Sequence, residues 1–281
     1  MSARSVQTQD NGWGWAPIVL CSLLFVAAIL TGCVASVEPH PPVHVEVVGA
    51  ASMESLAQEL ADAYAERHEY ATFDVVANSS GLGLEALRDG LADVALVTRE
   101  LAPEEVEGLA AAVIAYDAVA ILVNDQNPVG SLSVRELRDI FSGDILVWSD
   151  VGGEEVDIQV LSREDGSGTR EAFEEMVMGG KSVTLTAIVI PSSQGVGEYV
   201  GNDPVAIGYD SAVAVPDGVK ALSIDGVRPD LKAVMERDYA LIRPLTLVTQ
   251  GNPDDEVQAF VDFVLSPAGQ AIVGQRYGRA R

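Results

Sequence analysis

The stretch SREDGSGTREAF at residues 162–173 joins a β-branched run at 157–161 to a helical pattern over 169–178. A Ser or Thr at the start of a helix caps one of its unpaired backbone N–H groups. Glycines beside it let a ligand reach the others, so such a junction is a seat for an anion. Two further junctions repeat this chemistry. Gly49-Ala50-Ala51-Ser52 follows a strand at 43–48, and Ser79-Ser80-Gly81-Leu82-Gly83 follows one at 72–76. One junction alone reads as an ordinary helix cap. Three of them, with Arg99 and Arg163 beside predicted strand ends, point to a small oxyanion held by several donors.

Outward from these junctions the chain alternates short β-branched runs with helical patterns, the sign of an α/β protein built on parallel crossovers. The spacing predicts a helix over 53–67 with Leu56, Leu60, Ala63 and Tyr64 on one side. It predicts a short helix at 83–89, and another capped by Ser133 that buries Leu137, Ile140 and Phe141. Strands are expected at 94–97, 113–123, 206–209 and 243–249, followed by helices over 255–265 and from Ser266-Pro267 onward. The runs at 113–123 and 243–249 are long enough to leave one domain and enter another.

Of the 281 residues, 48% are apolar and 21% charged, the balance of a folded protein rather than a disordered one. Against 42 Asp and Glu stand 17 Lys and Arg, a formal charge of −25. With no basic stripe, a nucleic-acid partner is excluded. So acidic a surface keeps a protein soluble by self-repulsion and suits a salty medium. It does not forbid an anion, because charges are screened beyond about 8 Å at physiological salt while local donors touch the ligand directly. Cys21 and Cys33 both precede the body of the chain, which therefore carries neither a disulfide framework nor a Cys metal site. His40, His44 and His68 are too few and too poorly spaced for a metal cluster, and His68 reads as solvated. No metal and no cofactor is expected.

Residues 16–30 are almost wholly apolar, short for a membrane-spanning helix and within the range of a signal-peptide core. The Leu30-Thr31-Gly32-Cys33 string that follows resembles the lipobox of bacterial lipoproteins. The resemblance implies a signal peptide over 1–32 and a lipid on Cys33. The product would be exported and held at the outer face of the cell membrane or in the periplasm; an uncleaved anchor is the alternative. Residues 33–42, with Pro39, Pro41 and Pro42, read as a tether.

Residues 162–173 resemble the signature of the phosphate-binding lipoproteins that serve the high-affinity phosphate ABC importer, the PstS type. The similarity runs along most of the exported chain: residues 49–56, NPV, LRDIFSG and WSDVGG within 124–153, AIGY at 206–209, VKALSIDGV at 219–227, RPLTLVTQG at 243–251 and FVLSPAGQAIV at 263–273. It implies a type II periplasmic-binding-protein fold, two α/β lobes with a central cleft and two crossing strands. Lobe 1 would comprise 43–123 plus 247–281 and lobe 2 would comprise 124–246. The implied ligand is inorganic phosphate, the implied partners are the permease subunits of the importer, and the protein would be a monomer.

Carried over by position, the resemblance assigns to phosphate the hydroxyl of Ser52, the backbone N–H of Met53 and the hydroxyl of Ser80. From the other lobe come the guanidinium of Arg163, the hydroxyls of Ser167 and Thr169 and the backbone N–H groups of Gly168 and Thr169. Asp165 either fixes the Arg163 fork or is a plain solvated carboxylate. Thr98-Arg99 departs from those relatives that carry Ser-Asp there, whose carboxylate accepts the proton of hydrogen phosphate. Arg99 is either a second cation on the anion or a bridge to a carboxylate or to the other lobe. Arg has no acceptor, so discrimination against sulfate does not carry over. Sulfate, molybdate or tungstate therefore stay open as cargo, as does a sensor or adhesin role. An enzyme is not expected, because Gly166-Ser167-Gly168 is not the Gly-x-Ser-x-Gly elbow and no histidine stands where a triad base would.

Overall fold

The computed structural model describes Ser5 and residues 40–280. The signal peptide at 1–32, Cys33 and most of the tether lie outside the described residues. From Pro42 onward the chain forms one compact unit.

Alternation of valines makes Val43–Ala50 (β1) a strand with Val45 and Val47 turned into the core. A 3-10 turn at Ala51–Met53 leads into α1 (Glu54–Ala65), which buries Leu56, Leu60 and Tyr64 at helical spacing. Next come β2 (Ala71–Asn78), α2 (Ser80–Arg88) and β3 (Val94–Val97), with β1 pairing in parallel with both other strands. The chain then enters β4 (Leu109–Asn124), a strand of sixteen residues.

The second half holds β5 (Ser131–Leu132) and α3 (Val134–Ser142), then β6 (Gln159–Arg163) and α4 (Gly168–Phe173), which runs on as a π-helical turn at Glu174–Met178. After these come β7 (Ile188–Ile190), α5 (Ser193–Asn202), β8 (Ala206–Ser211), β9 (Val219–Ala221), β10 (Ser223–Ile224) and α6 (Leu231–Glu236). The last elements are β11 (Ile242–Gln250), α7 (Asp255–Leu265), α8 (Pro267–Val273) and β12 (Gly278–Arg279).

One curled sheet runs through both halves in the order β2-β1-β3-β11-β4-β8-β6-β7. β4 and β11 are its crossing strands: β4 pairs with β11 from Leu109 to Ala118, then with β8 and β9 from Val119 to Asn124. The first lobe packs its core around Val45, Leu60, Phe260 and Val264, the second around Phe141, Trp148, Phe173 and Tyr209. The core changes hands between Ala115 and Ala118 on β4 and between Leu245 and Ile242 on β11.

Seven elements were absent from the sequence reading: β5, β7, β9, β10 and β12, each of two or three residues, the six-residue α6, and α5. α5 carries Gly195, Gly197 and Gly201, each unfavourable in a helix by roughly 1 kcal/mol. Tertiary contact decides α5: Ser192 caps it, and Gly197 comes so close to Pro216 that a side chain there would collide. β6 also begins two residues later than expected, at Gln159, since Asp157 bridges to Val147 instead.

Candidate functional site

The three serine-led junctions all stand at the carboxyl ends of parallel strands, β1, β2 and β6, where open α/β sheets place their ligands. The fold turns them toward one narrow space. Ala50, Ala51, Ser52, Asn78, Ser79 and Thr98 wall it from the first lobe, and Arg163, Ser167, Gly168 and Thr169 from the second. The walls touch. Gly81 N–H lies 3.5 Å from Gly166 O, and a Cβ on Gly168 would collide with the hydroxyls of Ser80 and Thr98. Gly166 adopts φ +80°, a conformation that glycine supplies without strain, and so brings the chain from β6 into the cap of α4.

The hydroxyls of this wall are arranged as donors. Ser79 Oγ accepts the N–H of Leu82 at 3.2 Å, and Ser167 Oγ accepts that of Arg170 at 3.4 Å. Thr169 Oγ1 accepts from Arg243 Nη1 at 2.6 Å. Each oxygen is thus engaged by a protein donor, which leaves its own proton to be given to a ligand. Thr98 Oγ1 is fully buried and has no hydrogen-bond partner, a state that a ligand oxygen would relieve.

Charge enters from one side. Arg163, 3% exposed, is the only cation in the wall among the described residues. Its Nε and Nη2 each lie 2.9 Å from a Glu164 oxygen, and its backbone N–H donates to the Tyr209 hydroxyl at 3.3 Å. Burial pushes the Tyr209 phenol up to about 12, so it stays neutral. Behind Thr169, Arg243 places Nε and Nη2 at 3.1 and 2.8 Å from Asp117 Oδ2, while Ser211 Oγ donates to Oδ1 at 3.0 Å. Both charged side chains are almost fully buried. Burial pushes the Asp117 carboxyl up, against the downward pull of Arg243.

Of the sequence-derived residues, Ser52, Arg163, Ser167, Gly168 and Thr169 meet in this wall. The Met53 side chain is buried in the core of the first lobe, so only its backbone could serve a ligand. Ser80 lies just behind this wall: fully buried, its Oγ accepts the N–H of Thr98 at 3.2 Å and stands beside Gly168, while its neighbour Ser79 lines the space. The cap of α2 carried that information, since the capping residue sits at the helix edge and Ser79 is the one that bonds three residues on.

Arg99 is not in the wall. Its Nη1 and Nη2 lie 2.7 Å from the two Glu105 oxygens, and its Nε lies against Glu171 Oε2 as an ion pair without hydrogen-bond alignment. These carboxylates hold the guanidinium firmly charged, and Arg99 holds the Glu105 carboxyl below its ordinary range. Asp165 does not fix Arg163: it is 98% exposed and pairs with Arg170 at 2.6 Å, while Glu164 holds the fork. Asn78 and Thr98 were missed. Both stand at strand ends beside the predicted junctions, and that position was the available signal.

The cleft widens outward into a cavity of about 690 Å³ that shares Ala51, Ser52, Asn78 and Ser79 with the inner space and adds Glu54, Asp165 and Asp210. Away from it, His44 Nε2 lies 3.1 Å from Glu46 and 3.3 Å from Asp74 on the exposed start of β1, roughly 20 Å along the strand from the wall. His68 is only half-buried but stacks on Tyr64 at 4.0 Å rather than standing free in solvent.

Residues 36–268 match the PBP superfamily domain. The phosphate-binding protein PstS of Bacillus subtilis is 30% identical over 226 residues, 78% of this chain and 74% of that one. A phosphate-binding protein, PstS 2, of Streptococcus pneumoniae is 39% identical over 105 residues, 37% of this chain and 36% of its own. Among solved structures, a phosphate ABC transporter substrate-binding protein with bound phosphate from Clostridium perfringens superposes with a TM-score of 0.82 at 31% identity, covering 85% of this chain and 100% of that one. An ABC-type phosphate transport receptor from Vibrio cholerae gives 0.73 at 30%, with coverage of 83% and 99%. The fold and its cleft are those of a type II binding protein, a class that holds solutes and does not transform them. The chain belongs to the PBP superfamily and, within it, to the PstS family.

Proposed function

We propose that the protein captures inorganic phosphate between its lobes and delivers it to the permease subunits of an ABC importer. One observation carries the reading: three hydroxyls whose oxygens already accept from the protein, an orphaned fourth and a buried arginine converge on one small space. Each charged hydrogen bond to a dianion there contributes about 1.5 to 3 kcal/mol. The walls belong to different lobes, so the ligand favours the closed form, and that form is the one a permease would recognise.

Sulfate is the second reading, because no carboxylate stands in the wall to accept the proton of hydrogen phosphate. Calorimetric titration decides between them, using residues 34–281 stripped of ligand by unfolding and refolding, with phosphate, sulfate and molybdate in turn. One-to-one phosphate binding is expected, and inert sulfate would require an acceptor for the phosphate proton beyond the wall residues. Equal competition by sulfate would reassign the cargo, and no binding by any anion would overturn the receptor role.

The same reading places the protein outside the cytoplasm, held by a lipid on Cys33 and acting as a monomer. Among the described residues no helix is long and apolar enough to cross a membrane. Cys33→Ser is expected to release the protein from membranes on fractionation of expressing cells.

A further inference from the structure

Arg99 follows the wall residue Thr98 in the chain but stands outside the anion wall, and its three partners, the Glu100 carbonyl and Glu105 on one side and Glu171 on the other, divide unequally between the lobes. Glu105, on the 3-10 turn Pro103–Val106 of the first lobe, is fixed twice: its carboxylate accepts the Ala102 N–H at 3.0 Å, and its carbonyl accepts from Arg88 at 2.8 Å. The fork of Arg99 is therefore set by its own lobe. Glu171 comes from the other side, in α4, whose first residues Gly168 and Thr169 form the wall. The Arg99 side chain is 12% exposed and that of Glu171 36%, so water screens the pair only in part.

We propose that Arg99 and Glu171 form a clasp between the lobes, by which Arg99 positions α4 on the anion without touching it. This inference rests on the reading of the cleft as the anion site and adds to it a residue that sets affinity from outside. Opening the cleft parts two side chains that belong to different lobes. The ion pair then exists only in the closed form and adds its free energy to that form alone, raising ligand affinity by the closed population it creates. Glu105 keeps the guanidinium extended in the open form, so little side-chain freedom is lost on closure.

The test is Glu171→Gln in residues 34–281, read by phosphate calorimetry and by stopped-flow release. Three- to tenfold weaker binding is expected, carried by faster release, with the association rate within twofold and the unfolding temperature of the ligand-free protein unchanged. Arg99→Gln is expected to match it, and the double variant to be no weaker than either single one. Unchanged or tighter binding by Glu171→Gln would overturn the clasp, since freeing an Arg99 that touched the anion would strengthen binding. If wild-type protein binds no phosphate, the receptor reading fails separately. The clasp is then judged in ligand-free protein by electron–electron distances between spin labels on Glu85→Cys and Glu198→Cys, exposed positions on α2 and α5. Glu171→Gln should shift the distribution toward the longer separation; an unchanged distribution would overturn the proposal.

Discussion

The two walls of the cleft do the same work by different chemistry. The first lobe meets the ligand space with Ser52, Asn78, Ser79 and Thr98, all neutral, and commits Arg99, the residue after Thr98, to carboxylates. The second lobe brings the buried charge of Arg163 and backs its wall with two more arginines, Arg170 on the Arg163 carbonyl and Arg243 on Thr169. On the proposed reading, a chain of charge −25 would hold an anion by setting three of its 17 cationic side chains in and behind one wall and letting the other supply neutral donors. Affinity should then be lopsided. Substitutions in the second wall should cost charge and scaffold, while those in the first should cost single hydrogen bonds.

The largest expected effect falls on the scaffold. Arg243→Met strands the buried Asp117 carboxylate between the crossing strands, and removing one partner of such a pair destabilises by about 3 to 5 kcal/mol. Urea denaturation of the ligand-free protein should show the loss, and the Asp117→Leu, Arg243→Met double variant should recover most of it. A loss as large in the double variant would mean that the pair's shape, not its charge, matters there.

Arg163→Ala comes next and separates the walls directly. Loss of the single wall cation should weaken phosphate binding roughly 30-fold, about 2 kcal/mol, with stability nearly intact. An unchanged dissociation constant would remove the charge asymmetry altogether. Gly168→Ala should cost about tenfold by another route: the new methyl group meets Ser80 and Thr98 only when the lobes close. Calorimetry should therefore show weaker binding while ligand-free unfolding stays put.

Within the first wall, adjacent serines should behave differently. Ser79→Ala removes a donor from the cleft and should weaken binding about fivefold, near 1 kcal/mol. Ser80→Ala leaves the buried N–H of Thr98 without its acceptor, so about 1 to 3 kcal/mol should be lost in stability rather than in affinity. The reverse pattern would restore the placement read from the sequence.

That pair also shows what was legible in advance. Strand ends and caps are local signals, so β1, β3, α3 and the crossing strands could be read from periodicity and N-caps, and Arg163, Ser167 and Thr169 from their turn. Which of two neighbouring serines faces the cleft depends on one residue of helix phase, a matter of packing against β1 and β3. Thr98 carries no motif, and its orphaned hydroxyl is visible only once two distant turns enclose it. The partner of Arg99 from the other lobe, Glu171, is far off in the chain, and nothing near Arg99 announces it. α5 was hidden by its glycines, which a propensity argument counts against a helix and a packing argument uses for close approach.

The smallest effect concerns the neutral wall's own anchor. Arg99 holds the Glu105 carboxyl below its ordinary value of about 4.3, with help from the Ala102 N–H and against partial burial. A depressed folded value means that the folded state prefers the carboxylate, so the stabilisation is complete above the ordinary value and is lost as pH falls through the folded one. Thermal unfolding of wild type and Glu105→Gln should therefore differ at neutral pH and converge well below about pH 4. A gap that persisted in acid would show that Glu105 acts through packing. The fork of Arg99 would then be held by shape, and the first lobe would use no charge in forming its side of the cleft.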